Sequence, residues 1–158
     1  AMELFVSCFM KLLEKKEKTD DYFNKDDVFN YQKMIVETGY PDACHTFGNM
    51  FKFGLACPIN KEIASYYIKM AADKGCVDAM LDYGIMCRDG ECVPMDKKEA
   101  SSYLKMAADK GNNVAMRNYA VMLYEGDGIE KDMNEAKKYM EMSANAGNPE
   151  ALMFLNSY

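Results

Sequence analysis

Residues 66–75 read YYIKMAADKG, and residues 102–111 read SYLKMAADKG, 36 positions further on. The glycines at 39, 75, 111 and 147 keep the same interval of 36. They divide the middle of the chain into units 40–75, 76–111 and 112–147. Each unit places a small residue at Ala43, Ala79 or Ala115, then Phe47, Tyr83 or Tyr119 four residues later, then Gly48, Gly84 or Ala120. A further glycine stands at 54, 90 and 126. The second half of each unit carries Ala64, Ala100 or Ala136, then Tyr67, Tyr103 or Tyr139, then a small pair at 71–72, 107–108 or 143–144. A period of this length is the signature of a repeat architecture.

These intervals are helical. Ala79, Tyr83 and Cys87 fall on one face, as do Ala100, Tyr103 and Ala107. Each unit therefore reads as a hairpin: helix A of about 12 residues, a turn, and helix B of about 14, roughly 18 and 21 Å long. In KMAADKG the paired alanines allow a neighbouring backbone to come close. Lys74 and Lys110 complement the negative helix end, and the glycine closes the helix in a left-handed conformation. Asp42, Asp78 and Asn112 are the expected caps of the following helix. One hairpin cannot bury its apolar face alone, whereas a stack of them can. The flanks keep the register: 2–39 reads as a divergent N-terminal repeat ending in Tyr31 and Gly39, and 148–158 as a C-terminal helix. The whole chain, 1–158, is expected to be a single repeat domain.

Composition agrees. Of 158 residues, 49% are hydrophobic, Trp is absent, and helix formers dominate, so the fold class is all-α. A net charge of −6 disfavours nucleic-acid binding; the basic run KLLEKKEK (11–18) alternates with Glu and reads as a solvated helix face. The apolar run 4–10 is short, preceded by Glu3 and cut by Lys11, so neither a signal peptide nor membrane insertion is expected. Cys8, Cys44, Cys57, Cys76, Cys87 and Cys92 do not recur together at one repeat position. Free, mostly buried thiols in a reducing, cytoplasmic setting are expected. Cys87 and Cys92 stand near enough in sequence to meet across a turn, which spacing alone leaves open.

The pattern A-x3-[LY]-[GA]-x2-[YL]-x2-G-x-G-[VI], followed by D-x2-[KE]-A-x2-Y-x2-[KM]-[AS]-A-x2-G, resembles the Sel-one-like repeat. Residues 115–147, AMRNYAVMLYEGDGIEKDMNEAKKYMEMSANAG, carry it most fully, and it extends over 40–147. Tetratricopeptide repeats share the hairpin logic but run at about 34 residues and lack the Gly-x-Gly turn. The chain departs from the pattern at Ala56 and Cys92, where a second turn glycine belongs, with Pro58 and Pro94 close by. It also lacks the repeated cysteine pair of the secreted bacterial members. The resemblance implies a right-handed α/α superhelical solenoid with A helices on its concave wall. It implies scaffold or adaptor roles, often in signalling or protein quality control, and no shared chemistry. A non-enzymatic adaptor that binds a peptide or protein in that concavity, without cofactor, is the expected function. The alternatives are a hydrolase of the penicillin-binding type reported for some relatives, and a purely structural segment of a longer repeat protein.

On each A helix, the face opposite the core holds His45, Thr46 and Asn49, then Leu81, Asp82 and Ile85, then Arg117, Asn118 and Val121. Such a mixture suits an extended peptide or a helix, although the same residues can be ordinary solvated positions. His45 beside Cys44 suggests a metal, but adjacent helix residues point about 100° apart and no second histidine exists, so none is expected. Ser102-x-x-Lys105 matches a penicillin-interacting motif by chance, since its companion elements are missing. Met70, Met106, Met122 and Met140 read as core filler; for Met50 and Met86 core filler is favoured over the alternative of bordering the groove. Leu152, Phe154 and Leu155, on a final A helix with no helix B, are the candidates for a homo-oligomeric contact.

Overall fold

The computed structural model describes Met34 and residues 39–55 and 58–157. Most of the expected N-terminal repeat lies outside these residues, as do Cys8, Ala56 and Cys57. The described chain forms seven helices: α1 Pro41–Phe53, α2 Lys61–Asp73, α3 Val77–Asp89, α4 Lys97–Asp109, α5 Asn113–Glu125, α6 Met133–Asn145 and α7 Pro149–Asn156. The first six are each 13 residues long, close to the expected lengths. Among the described residues there is no strand. Odd-numbered helices are the A helices and even-numbered ones the B helices. Each A packs on its own B, and each B packs on the next A, so the chain is an all-α solenoid.

The helices begin in two ways. Each B helix opens on a capping side chain: Asn60 accepts from the Ile63 amide at 2.9 Å, Asp96 from Glu99 at 2.8 Å, and Asp132 from Glu135 at 2.9 Å. Of the caps expected for A helices, only Asn112 takes that role, accepting from the Ala115 amide at 2.9 Å. Asp42 and Asp78 instead lie inside the first turn, because the helices begin one residue earlier, at Pro41 and Val77. There they act on the positive helix end rather than on a particular amide. Tyr40 and Cys76 occupy the cap positions without a side-chain bond.

Close approach of A and B within a unit depends on the small residue after the aromatic. A methyl group on Gly48 would lie 2.6 Å from Ile68 Cγ1, and one on Gly84 would lie 2.8 Å from Leu104 Cγ. In the third unit the same position is Ala120, and its facing residue is the unbranched Met140. The paired alanines Ala71, Ala72, Ala107 and Ala108 are fully buried, as expected. Met50 and Met86 lie in the core, the role favoured for them, while Met106, also read as core filler, is exposed. The phase of the helix sets both outcomes: Met50 follows Phe47 by three residues, on the core side.

The second and third A–B turns share a left-handed residue despite their sequence change. Gly128 has φ +77°, and Cys92 at the same repeat position has φ +65°. A methyl group at Gly128 would stand 2.4 Å from Lys97 Cβ and 2.7 Å from the Lys97 carbonyl carbon. The third unit's turn thus rests on the start of α4, and Lys97 fastens it through a 2.6 Å ion pair to Asp127.

Candidate functional site

The A-helix face is built from positions that repeat at 36 and link neighbouring units. Between the first two units, His45 Nε2 meets Asp82 Oδ2 at 2.6 Å, and Asn49 Nδ2 lies 3.0 Å from His45 Nε2 and 3.4 Å from Asp82 Oδ2. Burial opposes a charge on the imidazole, but the Asp82 carboxylate, helped by Cys76, pushes its pKa up to about 9. Burial likewise favours neutral Asp82, yet His45 holds its carboxyl below the ordinary range. The pair is an ionic, half-buried bridge between α1 and α3. Asn49 Oδ1 is buried beside it with no hydrogen-bond partner among the described residues.

The same row changes chemistry along the chain. Between the second and third units, Arg88 Nη1 donates to Asn118 Oδ1 at 2.9 Å, and Asn118 Nδ2 donates to the Val114 carbonyl at 3.0 Å. Asn118 is 7% exposed, so it is a buried brace and not the groove contact expected of it. Arg117 reaches forward to Glu150 at 2.9 Å. At the last junction the linking pair is aromatic: Tyr124 and Phe154 meet edge to face with centroids 5.5 Å apart. Thr46 donates to the Asp42 carbonyl of its own helix at 2.9 Å. Leu81, Ile85 and Val121 are half-buried against the core.

The structure therefore brings His45, Asn49 and Asp82 together, places Asn118 and Arg117 on separate neighbours, and leaves Leu81, Ile85 and Val121 as a partly open apolar row. Sequence reasoning missed Lys52, Arg88 and Tyr124. These share one repeat position, three residues past Asn49, Ile85 and Val121, and helical spacing alone puts both rows on one face. Lys52 binds Glu91 at 3.0 Å.

A second row runs along the B helices. Lys69 Nζ donates to the Tyr83 hydroxyl at 3.2 Å and lies 2.5 Å from Glu99 Oε1, with Tyr83 and Tyr103 both under its charge. One unit later Lys105 likewise lies over the rings of Tyr119 and Tyr139, but it donates to the Tyr139 hydroxyl at 3.1 Å and to Asp109. The Tyr103 and Tyr139 hydroxyls donate at 2.5 Å to Asp73 and Asp109, the last residues of the preceding B helices. This row also answers the Ser102–Lys105 motif. Hydrogen bonds from Lys105 to Tyr139 and Asp109 raise the pKa of its amine, so it stays protonated and is no base for exposed Ser102.

Cys44 and His45 do diverge: the Cys44 thiol lies in the core, 3.8 Å from Met70 Sδ, while the imidazole turns to Asp82. Among the described residues no three His, Cys, Asp or Glu side chains gather as a metal site.

Comparison with known proteins adds to this geometry. The Sel1 repeat model matches residues 41–76, 77–112 and 113–148, each one residue later than the units read from the glycines. The chain belongs to the Sel1 repeat family. Among solved structures it is similar to a Sel1 repeat protein from Oxalobacter formigenes (26% identity over 84% of this chain and 98% of that one, TM-score 0.76). It is also similar to a protective antigen of uropathogenic Escherichia coli with an SLR fold (28% identity, 76% of this chain, TM-score 0.71). The match spans only 26% of that longer antigen. Helicobacter pylori cysteine rich protein B shares the fold, at 22% identity, over 80% of this chain and 96% of that one, with a TM-score of 0.62. No curated protein matches the chain. Sel1 repeat proteins are commonly protein-interaction scaffolds and are generally not enzymes.

Proposed function

We propose that this Sel1 repeat chain is a non-enzymatic adaptor that binds an extended peptide or a helix along its A-helix face. The observation that carries the reading is the row Asn49, Ile85 and Val121, flanked by Leu81 and by Lys52, Arg88 and Tyr124. It places half-buried apolar and polar groups at one-repeat intervals on three successive A helices, α1, α3 and α5. Contacts repeated at that interval sum over several weak interactions, and the stacked helices hold them in place before binding.

None of the four described cysteines is disulfide-bonded. Burial pushes the Cys87 thiol up to about 11 and raises Cys44 as well, so both are poor nucleophiles. A reducing, cytoplasmic setting is part of the same proposal. Among the described residues no helix is long and apolar enough to cross a membrane.

Affinity capture on the purified chain tests the adaptor reading when repeated with Ile85→Glu and Val121→Glu together. The captured partner is expected to be lost while circular dichroism stays unchanged; undiminished capture would remove the A-helix face from consideration. A hydrolase screen against a Ser102→Ala control tests the enzymatic alternative, and activity lost in that variant would replace the adaptor reading.

A further inference from the structure

We infer that the segment bound along the A-helix face is an amphipathic helix with Lys or Arg on both flanks of its apolar stripe. The inference rests on the adaptor reading above and names the chemistry of the partner. Three positions of each A helix lie on the line that faces away from the core, in its first turn, its middle and its last turn. The apolar members step from one edge of the face to the other. Phe53, 59% exposed, ends α1; Ile85 is half-buried in the middle of α3; Val121 and Val114, the latter 41% exposed, complete the path on α5. Acids hold the two corners beside this diagonal: exposed Asp42 and Asp78 in the first turns of α1 and α3, and exposed Asp89 and Glu125 in the last turns of α3 and α5. The diagonal is roughly 26 Å long, about 17 residues of helix.

Charge defines the flanks of the occupant. The cations of the face are already neutralised: His45 by Asp82, Lys52 by Glu91, Arg88 by Asp89 and Arg117 by Glu150. Among the described residues, Asp42, Asp78 and Glu125 have no ion-pair partner, and the Asp78 carboxylate meets only Asn112 Nδ2, at 3.5 Å. Unmatched negative charge thus stands on both sides of the apolar path, in a chain whose net charge is −6. A second copy brings charge of the same sign and fits poorly. Of the residues expected to join two copies, Leu152 is exposed, Leu155 half-buried and Phe154 packed on Tyr124. Hydrogen bonding decides between a helix and an extended segment. Thr46, Asn49, Arg88 and Asn118 all donate within the molecule. A strand laid here would find few free donors for its carbonyls, whereas a helix satisfies its own backbone.

The test is fluorescence anisotropy of the full chain with a labelled peptide of about 18 residues, built of Leu, Ala and Lys, with Leu at helical intervals and Lys on both flanks. One control peptide replaces every Lys by Glu. The other keeps the composition but permutes the order so that no apolar stripe forms. The Lys peptide is expected to bind with a dissociation constant on the order of 10 µM at low salt, and either control at least about tenfold more weakly. Asp78→Lys with Glu125→Lys, both at exposed positions, should weaken the Lys peptide about tenfold and tighten the Glu peptide by a similar factor. Phe53→Ser with Val114→Ser leaves the charge unchanged and should weaken the Lys peptide about tenfold. No binding at millimolar peptide, a control bound as tightly as the Lys peptide, or indifference to either double variant overturns the inference. None of these outcomes touches the adaptor reading, which is decided by capture on Ile85→Glu with Val121→Glu.

Discussion

At the scale of single residues, the His45–Asp82 bridge makes stability depend on pH with a predictable sign. The imidazole pKa rises from 6.5 in the unfolded chain to about 9 in the folded one. Its contribution is therefore complete below pH 6.5 and is lost as pH rises through 9. Asp82 works in the opposite sense: its carboxyl starts from 3.8 and is lowered, so its contribution holds above 3.8 and fades in stronger acid. Allowing for partial exposure, urea denaturation should show a loss of about 2 kcal/mol between pH 6.5 and 9.5. Asp82→Asn should flatten that profile, and an unchanged slope would mean that the bridge is not the source. Packing makes the second residue-scale prediction. Gly84→Ala forces a methyl group onto Leu104 and should cost about 2 kcal/mol by overpacking. Adding Leu104→Met copies the Ala120–Met140 pairing of the third unit and should recover about half of that. A thermal-melt double-mutant cycle showing no coupling between the two positions would contradict the close approach.

At the scale of helices, caps and first-turn acids separate what the chain made readable from what it did not. Helix number, type and phase followed from the 36-residue interval, because core position repeats with it and little else controls it. The A-helix start was misjudged at Asp42 and Asp78, because an acid one residue inside a helix looks in sequence like the cap itself. Asp96-x-x-Glu99 and Asp132-x-x-Glu135 were the true signals, with carboxylates receiving backbone amides. Asp96→Ala should therefore cost about 1 kcal/mol, and Asp78→Ala only about 0.3 kcal/mol, in parallel guanidinium titrations. Equal losses would mean that Asp78 caps after all. The candidate site was readable as a face but not as a set of contacts. Helical spacing put His45, Asp82 and Asn118 on one side, yet whether each meets a ligand or a neighbour depends on the 30-residue links between units, as from Arg88 to Asn118. Those links need the stacking distance, which no single unit encodes.

At the scale of the molecule, stability in a solenoid is a sum of unit terms and nearest-neighbour terms, so a damaged junction should loosen one side of the stack before the other. The junction between the second and third units is held on its B side by Lys105 over Tyr119 and Tyr139, and by the Tyr139 hydroxyl on Asp109. Lys105 is 44% exposed, so its charge contributes modestly. The larger part comes from the tyrosine hydroxyl and the shared ring faces. Lys105→Met with Tyr139→Phe keeps the ring and removes both polar links, for a junction loss of about 1 kcal/mol. Hydrogen exchange is the measurement that resolves where this falls. Amides of α5 and α6 should exchange about fivefold faster, with α7 following them, while α1 and α3 keep their protection. A uniform acceleration from α1 to α7 would instead show that the repeats open as one cooperative block. In that case affinity along the A-helix row would respond to any destabilised unit, and not only to the units a partner touches.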